Sequence, residues 1–341
     1  MPLQKIAFKP GVNRENTRYT SEGGWYESDK VRFRQGTPEK IGGWQRISDN
    51  TFLGTARSLH SWVTLGSLKL TGIGTHLKFY IERGGAYYDV TPLRATVSLS
   101  NPFQTVSGST TVTVTDANGG YINGDFVTFS SASAVGGLTL NGEFQITYNT
   151  GNTYTITASE AASSSATGGG TVSAAYQINV GPETEVPLEG WGAGGWGEGF
   201  WGIGAIGTDA LRLWSQGNFG EDLIFGARGG SLFFWDASES DALNVRATLL
   251  SAESGASGVP TVQNFILISD INRFVFCFGA NPVGSSTQDP MLVRWSDQED
   301  ATNWTPAATN QAGDLRFSRG SEIIAALQTK QEILIWTDNS L

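Results

Sequence analysis

Apolar and polar residues alternate over short distances along most of this chain. From residue 52 onward, short runs rich in Val, Ile, Thr and aromatic residues are separated by clusters of Gly, Asn, Ser and Asp. A period of two over such a length is typical of half-buried strands, whereas amphipathic helices need a period near 3.6 over ten or more residues. Almost no stretch has that longer period, so the pattern predicts a mainly β protein.

One hairpin pattern recurs in the body of the chain. The matching segments are LTGIGTHLKFYIE (70–82), IFGARGGSLFFWD (224–236), IAALQTKQEILIWTD (324–338) and, after the strand FVFCFG, MLVRWSD (291–297). Each consists of two short strands, the second carrying an aromatic residue; these aromatics are Tyr80, Trp235, Trp336 and Trp295. Small repeated hairpins that bury their faces on one another are typical of a β-propeller, so we predict a propeller-like body. A β-sandwich of hairpins is the alternative that this spacing leaves open.

Three regions follow from the same pattern. Residues 1–50 are polar and rich in Gly and Pro, with one convincing strand at 30–34, and we expect an extended N-terminal arm. Residues 93–182 contain five alternating strands and predict an inserted small β-barrel or sandwich domain, in which the Ala/Ser/Gly run 161–170 is expected to be a mobile turn. Residues 51–92 and 183–341 form the predicted body. It ends close to a strand, so we expect either a fragment of a longer polypeptide or completion by a partner.

Charge is scarce and unevenly distributed. Only 16% of residues are charged, and the formal net charge is −10. Residues 95–211 contain no Lys or Arg but nine acids, which argues against a nucleic-acid-gripping surface there. Two interpretations stay open. The stretch forms a solvated acidic surface, or it forms an acidic wall along which DNA slides without binding. For the insert, the second interpretation rests on Asp116, Asp125, Glu143 and Glu160.

Candidate chemistry is sparse. One cysteine, Cys277, and two histidines, His60 and His76, cannot assemble a Cys/His zinc site. The adjacent acids at 221–222 and 299–300 point to opposite faces of a strand, so they do not form a glycosidase pair. The segment SDQEDATNW (296–304) lacks the complete Asp-box core, and we predict a turn that bonds its own backbone through Asp297 and Asp300.

The run GWGAGGWGEGFWGIG (190–204) contains G-x-G-x-x-G twice but lacks the strand and helix of a dinucleotide site. We interpret it as a crossing loop whose tryptophans anchor it to the body or to a neighbouring subunit. The sequence therefore predicts no enzyme, with no catalytic, cofactor-binding or metal-binding residue.

Several segments, in their order along the chain, resemble tail nozzle (packaged-DNA stabilisation) proteins of short-tailed bacteriophages. They are DKVRFRQGTPEKIGGW (29–44), the Gly/Trp run, WSQGNFGEDLIFGARGGSLFFWD (214–236), VRWSDQEDATNWTP (293–306) and GSEIIAALQTKQEILIWTDNSL (320–341). The insert resembles small β-modules embedded in phage tail proteins. Nozzle proteins usually continue well past this length.

The resemblance implies a structural virion protein that forms a hexameric ring below the head-to-tail adaptor, with a tail needle or fibre beneath it. Such a ring retains packaged double-stranded DNA and forms its ejection conduit without reading its sequence. No run approaches the ~20 apolar residues of a membrane span, and the expected location is the virion tail after synthesis in the host cytoplasm. The alternatives are a carbohydrate-binding, receptor-recognising β-propeller of the virion and a polysaccharide-degrading virion enzyme.

Overall fold

The computed structural model describes residues 9–340, apart from 16, 21–22, 44–45, 47, 118–119 and 185–210. In these residues the secondary structure consists of 25 strands and two short 3₁₀ turns, Ala242–Asn244 and Leu250–Ala252, with no α-helix. The strands form small antiparallel sheets. The predicted mainly β class is therefore confirmed.

Contacts divide the chain into two units, residues 1–49 and 50–341. The smaller unit contains a hairpin of β1 (Val31–Arg34) and β2 (Thr37–Lys40). The sequence prediction of a single strand there misses β2. All four side chains of this strand, TPEK, are exposed, so no apolar alternation marks it.

The body of the larger unit consists of four sheets in which each strand pairs with the next along the chain. The first sheet is β3 (Ala56–Val63), β4 (Lys69–Thr75), β5 (Phe79–Arg83) and β6 (Ala86–Asp89). The second sheet is β16 (Trp214–Phe219), β17 (Asp222–Ala227), β18 (Leu232–Trp235) and β19 (Thr248–Leu249). The third sheet is β20 (Phe265–Ile268), β21 (Val275–Phe278), β22 (Leu292–Trp295) and β23 (Gly313–Arg316). The fourth is a hairpin of β24 (Ile323–Gln328) and β25 (Ile333–Thr337).

The predicted hairpin repeat is present, but its aromatics do not all occupy equivalent positions. Trp235 and Trp295 end the third strands of their sheets, whereas Tyr80 is the second residue of β5. Trp336 lies in the second strand of the fourth sheet. The alignment therefore located the hairpins correctly without fixing the place of the aromatic in each strand.

Consecutive body sheets pack face to face through apolar side chains. In β17, Leu223 and Phe225 contribute to the core shared with the first sheet, while Ile224 contributes to the core shared with the third. Alternate residues of a strand point to opposite faces, so one strand can serve both cores. Phe79 of the first sheet stacks on Phe225 with ring centroids 3.8 Å apart. This serial packing of small sheets is the arrangement found in propeller blades.

Between the first and second body sheets, the chain forms two further sheets with a hydrophobic core of their own. One sheet, in spatial order, is β11 (Gly142–Gln145), β10 (Phe126–Ser130), β15 (Thr171–Gln177) and β7 (Leu93–Ser100). The other is β12 (Thr147–Thr150), β13 (Thr153–Thr157), β9 (Thr111–Thr115), β8 (Phe103–Thr105) and β14 (Ala166–Gly168). We call residues 93–182 the insert; its status as a separate domain stays a prediction.

Two details of the insert differ from the sequence prediction. It has nine strands rather than five. The run 161–170, expected to be a mobile turn, contains the paired strand β14, and Ala162 is buried within the core. Small side chains allow this close packing: Ser163 donates its hydroxyl to the Gly136 carbonyl at 3.0 Å. The Ala/Ser/Gly composition of this run offers no apolar alternation, so the sequence does not mark the strand.

The first prediction concerns the core between the first and second sheets. Phe225→Ala removes a fully buried ring that stacks on Phe79, and we expect a loss of about 3–5 kcal/mol in the free energy of unfolding. Urea denaturation followed by tryptophan fluorescence measures it. The control is Ile271→Ala, at a side chain that is 62% exposed, which should change stability by less than about 0.5 kcal/mol. Equal losses in the two variants would contradict the assigned core.

Candidate functional site at the junction of insert and body

A buried lysine lies where the insert meets the body. Lys78 belongs to the turn between β4 and β5, where the Thr75 hydroxyl accepts its backbone N–H at 2.8 Å and fixes the turn. The side chain is 3% exposed, its Nζ lies 2.8 Å from Asp89 Oδ2, and it also pairs with Glu143 Oε1. Nζ is 4.5 Å from the centre of the Phe126 ring. A buried ammonium needs such partners, and here they come from both the first sheet and the insert.

Arg246 completes a four-charge cluster with Lys78, Asp89 and Glu143. Its Nη1 lies 3.4 Å from Asp89 Oδ1, and its Nη2 lies 3.5 Å from Glu143 Oε2. The same guanidinium donates to the Thr91 carbonyl at 2.8 Å. Glu143 belongs to the insert, Asp89 to the first sheet, and Arg246 precedes β19 of the second sheet. The cluster therefore joins three parts of the fold with two positive and two negative charges.

We expect this cluster to select one orientation of the insert on the body rather than to add much to the free energy of unfolding. Desolvating paired ions costs several kcal/mol, which their attraction repays only with good geometry, whereas removing one partner leaves a buried charge uncompensated. Burial alone would raise the pKa of Asp89, but Arg246 and Lys78 outweigh it and hold that pKa below its usual value. We expect the cluster to fix how the insert sits on the body.

The acids proposed to face DNA are, with one exception, occupied inside the protein. Asp125 is fully buried, and the backbone N–H groups of Ile122 and Val180 donate to its two carboxylate oxygens. Burial raises the pKa of Asp125 despite these donors. Asp116 is also buried and accepts the Tyr176 hydroxyl at 2.6 Å.

Glu143 pairs with Lys78 and Arg246 but remains exposed to solvent, as does Glu160. The acidic-wall interpretation is therefore wrong for the buried Asp116 and Asp125, and for Glu143 and Glu160 it stays a prediction. Asp116 and Asp125 are bonded within the insert, to Tyr176, Ile122 and Val180, whereas the two cations that pair with Glu143 lie outside the Lys/Arg-free stretch.

The turn predicted at 296–304 is confirmed. Asp297 Oδ1 accepts the backbone N–H groups of Gln298 and Gln311, each at 2.8 Å. Asp300 Oδ1 accepts the backbone N–H and the hydroxyl of Thr302, at 2.8 and 2.6 Å. Both carboxylates therefore hold the local backbone. The other acidic pair is similar in part, because Asp222 Oδ1 accepts the Ala237 N–H at 2.9 Å and burial raises the pKa of Asp222.

The histidines and the cysteine take part in local packing. His60 Nε2 lies 2.5 Å from Asn218 Oδ1, and its ring stacks on Trp62. His76 Nδ1 accepts the Thr55 N–H at 3.0 Å, and burial lowers the pKa of His76. Cys277 is fully buried, which raises the pKa of its thiol. Among the described residues, no group of three His, Cys, Asp or Glu side chains is placed to hold a metal ion.

The aromatics of the repeat do not form a sugar-stacking surface on the first two sheets. Tyr80 and Trp235 are 6% and 2% exposed, and the Trp235 indole donates to the Ala242 carbonyl at 2.9 Å. The Trp295 indole donates to the Gln311 carbonyl at 2.7 Å. The interpretation of the Gly/Trp run 190–204 as an anchored loop concerns residues that lie outside those the structure describes.

In the described part of the chain, no helix has the length and apolar character required to cross a membrane. No protein-family model matches the chain. No curated protein matches it either. Among solved structures, it is similar to the phage phi92 endosialidase, with 15% sequence identity and a TM-score of 0.28. That match covers 89% of this chain and 45% of the endosialidase chain, so the present chain spans about half the length of the matched structure.

The second prediction concerns the four-charge cluster. Asp89→Asn leaves Lys78 buried with one carboxylate fewer, and we expect a loss of about 3 kcal/mol in the free energy of unfolding at neutral pH. The folded-state pKa of Asp89 is depressed, so its contribution is present above the unfolded-state pKa and is lost as pH falls through the folded-state value. The variant should therefore lose less stability than the wild type on acidification below about pH 4.

Urea titrations at several pH values measure this difference. Arg316→Gln is the control, because it breaks the pair with Asp289 (Nε to Oδ2, 2.6 Å) at an arginine that is 61% exposed. We expect a change below about 1 kcal/mol for this exposed pair. Parallel pH profiles for Asp89→Asn and the wild type would show that the cluster does not depend on the Asp89 charge.

Proposed function

We propose that this chain is a structural subunit of a bacteriophage tail nozzle. The observation that carries the proposal is the order of the nozzle-like segments and their place in the fold. They supply the β1–β2 hairpin, strands β16–β18, strand β22 with its aspartate turn, and the hairpin β24–β25. These are framework elements of both units rather than one loop or cavity.

The geometry supports an assembly role over catalysis. One acid of each adjacent pair, Asp222 and Asp300, bonds to backbone, the cysteine is buried, and the four-charge cluster is neutralised internally. These groups are occupied in holding the fold. We therefore propose that the protein is not an enzyme and that its activity is the formation of a hexameric ring between the head-to-tail adaptor and a needle or fibre.

The same ring would retain double-stranded DNA and let it slide during ejection. Support comes from the formal charge of −10, since binding to phosphates requires clustered Lys and Arg. The insert contributes little to the repulsion of DNA phosphates in this proposal, because three of the four candidate acids in the insert are buried or paired. A weakly interacting lumen would depend on the sum of exposed charges rather than on one acidic wall.

The third prediction tests assembly. Purified protein, alone and mixed with an adaptor ring from a short-tailed phage, is imaged by negative-stain electron microscopy. We expect six-fold rings with an open centre, stacked coaxially on the adaptor in the mixture. A chain that stays monomeric at all concentrations and never joins the adaptor would overturn the nozzle proposal.

The fourth prediction tests the interaction with DNA. In an electrophoretic mobility assay at about 50 mM salt, the protein should not retard duplex DNA of any sequence, because its formal net charge of −10 opposes association with a polyanion. A basic DNA-binding protein run on the same gel is the positive control. Tight, salt-sensitive retardation would contradict a sliding conduit. Specific binding on a glycan array would favour the carbohydrate-binding alternative.

A further inference from the structure

The segment that precedes β3, residues 50–55, lies against the first sheet. The Leu53 N–H donates to the Tyr80 hydroxyl at 3.2 Å. Gly54 has a φ of +90°, and a Cβ at this position would lie 2.7 Å from Thr75 Oγ1. Glycine is therefore required there by both the conformation and the space. The backbone of the segment passes within contact distance of the turn between β4 and β5.

A histidine of that turn holds the end of the segment. The Thr55 N–H donates to His76 Nδ1 at 3.0 Å, and the Thr55 hydroxyl donates to Glu183 Oε1 at 3.0 Å. The backbone carbonyl of His76 accepts the Gly181 N–H at 2.8 Å, at the point where the chain leaves the insert. The imidazole is half-buried, and Thr55 is exposed. Thr55 is therefore held at the protein surface by one imidazole nitrogen and one carboxylate.

The direction of the hydrogen bond fixes the protonation state of the ring. An imidazole nitrogen that accepts a hydrogen bond carries no proton, so neutral His76 holds its proton on Nε2. A second proton can then add only to Nδ1, where the new N–H faces the Thr55 N–H. Two donors cannot bond to each other, so the contact is lost when the ring becomes cationic. The cationic ring is instead attracted to the Glu183 carboxylate.

The surroundings of the ring favour its neutral form. Burial lowers the pKa of His76 most, Glu183 raises it, and Arg57 of β3 and Arg212 before β16 lower it further. On the same turn, Lys78 is neutralised within the four-charge cluster. A released ring reaches solvent, where the pKa of histidine is about 6.5. By linkage, the contact is complete above about pH 6.5 and weakens as pH falls toward the lower folded-state value.

We propose that His76 is a pH-sensitive contact, at which uptake of a proton on Nδ1 releases the Thr55 N–H and frees residues 52–55 from the turn between β4 and β5. Histidine is the side chain whose ordinary pKa lies between pH 5 and 8. Burial raises the pKa of Tyr80, so its hydroxyl stays protonated throughout this range. The N-terminal unit ends at residue 49, so acidification loosens the chain between that unit and β3. This inference does not depend on the nozzle proposal.

The first experiment measures hydrogen–deuterium exchange of the full chain by mass spectrometry at about pH 7.5 and about pH 5, corrected for the intrinsic exchange rate. Protection in peptides that span residues 50–57 should fall by at least about threefold at the lower pH. The Val90 N–H, which donates to the Phe79 carbonyl at 3.1 Å within the first sheet, should keep its protection. Unchanged protection of residues 50–57 would overturn the inference. An equal loss at Val90 would show that the whole sheet opens, which would also overturn it.

The second experiment repeats this measurement on variants. His76→Asn keeps an acceptor, because Asn Oδ1 takes the place of Nδ1, but it does not titrate, so protection should persist at both pH values. His76→Phe keeps a ring without an acceptor and should show low protection at both. His60→Gln changes the other histidine, whose Nε2 bonds to Asn218, and is the matched control that should respond like the wild type. A loss at low pH in His76→Asn as large as in the wild type would assign the effect to other groups and overturn the inference.

The third experiment observes the ring directly by nitrogen NMR of the imidazole. The chain has two histidines, so His60→Gln identifies the His76 signals. Nδ1 should be unprotonated at about pH 7.5, and the ring should titrate with a midpoint below 6.5. Glu183→Gln should lower this midpoint further, because the Glu183 charge raises the pKa of His76. A proton on Nδ1 at neutral pH, or a midpoint at or above 6.5, would contradict the proposed contact.

Discussion

The architecture depends on burying both faces of each small sheet. An isolated two-stranded hairpin is at best marginally stable in water, and the apolar faces of a larger sheet favour packing against other elements. In the body this is achieved in series: the second sheet serves one core through Leu223 and Phe225 and the next through Ile224. The contact of Phe79 with Phe225 is one instance of the resulting close packing. The second and third sheets therefore each stabilise two neighbours, and stability is shared along the series.

The insert is built on a different principle. Its two sheets enclose one core, which includes the buried tyrosines Tyr121, Tyr154 and Tyr176. That core is internal, and at the junction Ile178 of the insert also packs against the core of the first and second body sheets. The four charges at Lys78, Asp89, Glu143 and Arg246 add directional contacts there, which we expect to help select one arrangement.

The sequence predicted the fold class and the repeated hairpins, because apolar alternation can be recognised within one strand without knowing which strands pair with it. It failed where side chains are small or polar: β2 has no apolar residue, and β14 lies within an Ala/Ser/Gly run. The four-charge cluster was not predicted at all. Its members are separated by up to 168 residues, and the packing of the second sheet on the first brings position 246 near position 78. A lysine flanked by apolar residues in the segment THLKFYIE was the one available signal of a buried cation.

The acids of residues 95–211 show most clearly that the charge of a segment does not reveal which of its side chains reach solvent. A stretch of nine acids without a cation suggests a repulsive surface only if those acids reach solvent. Asp125 instead caps backbone N–H groups, Asp116 anchors a tyrosine pair, and Glu143 meets two cations from the body. The acids that remain exposed are spread over the chain, so any electrostatic effect on a polyanion must arise collectively. A surface of that kind disfavours binding of a polyanion through the sum of its charges, without a dedicated site.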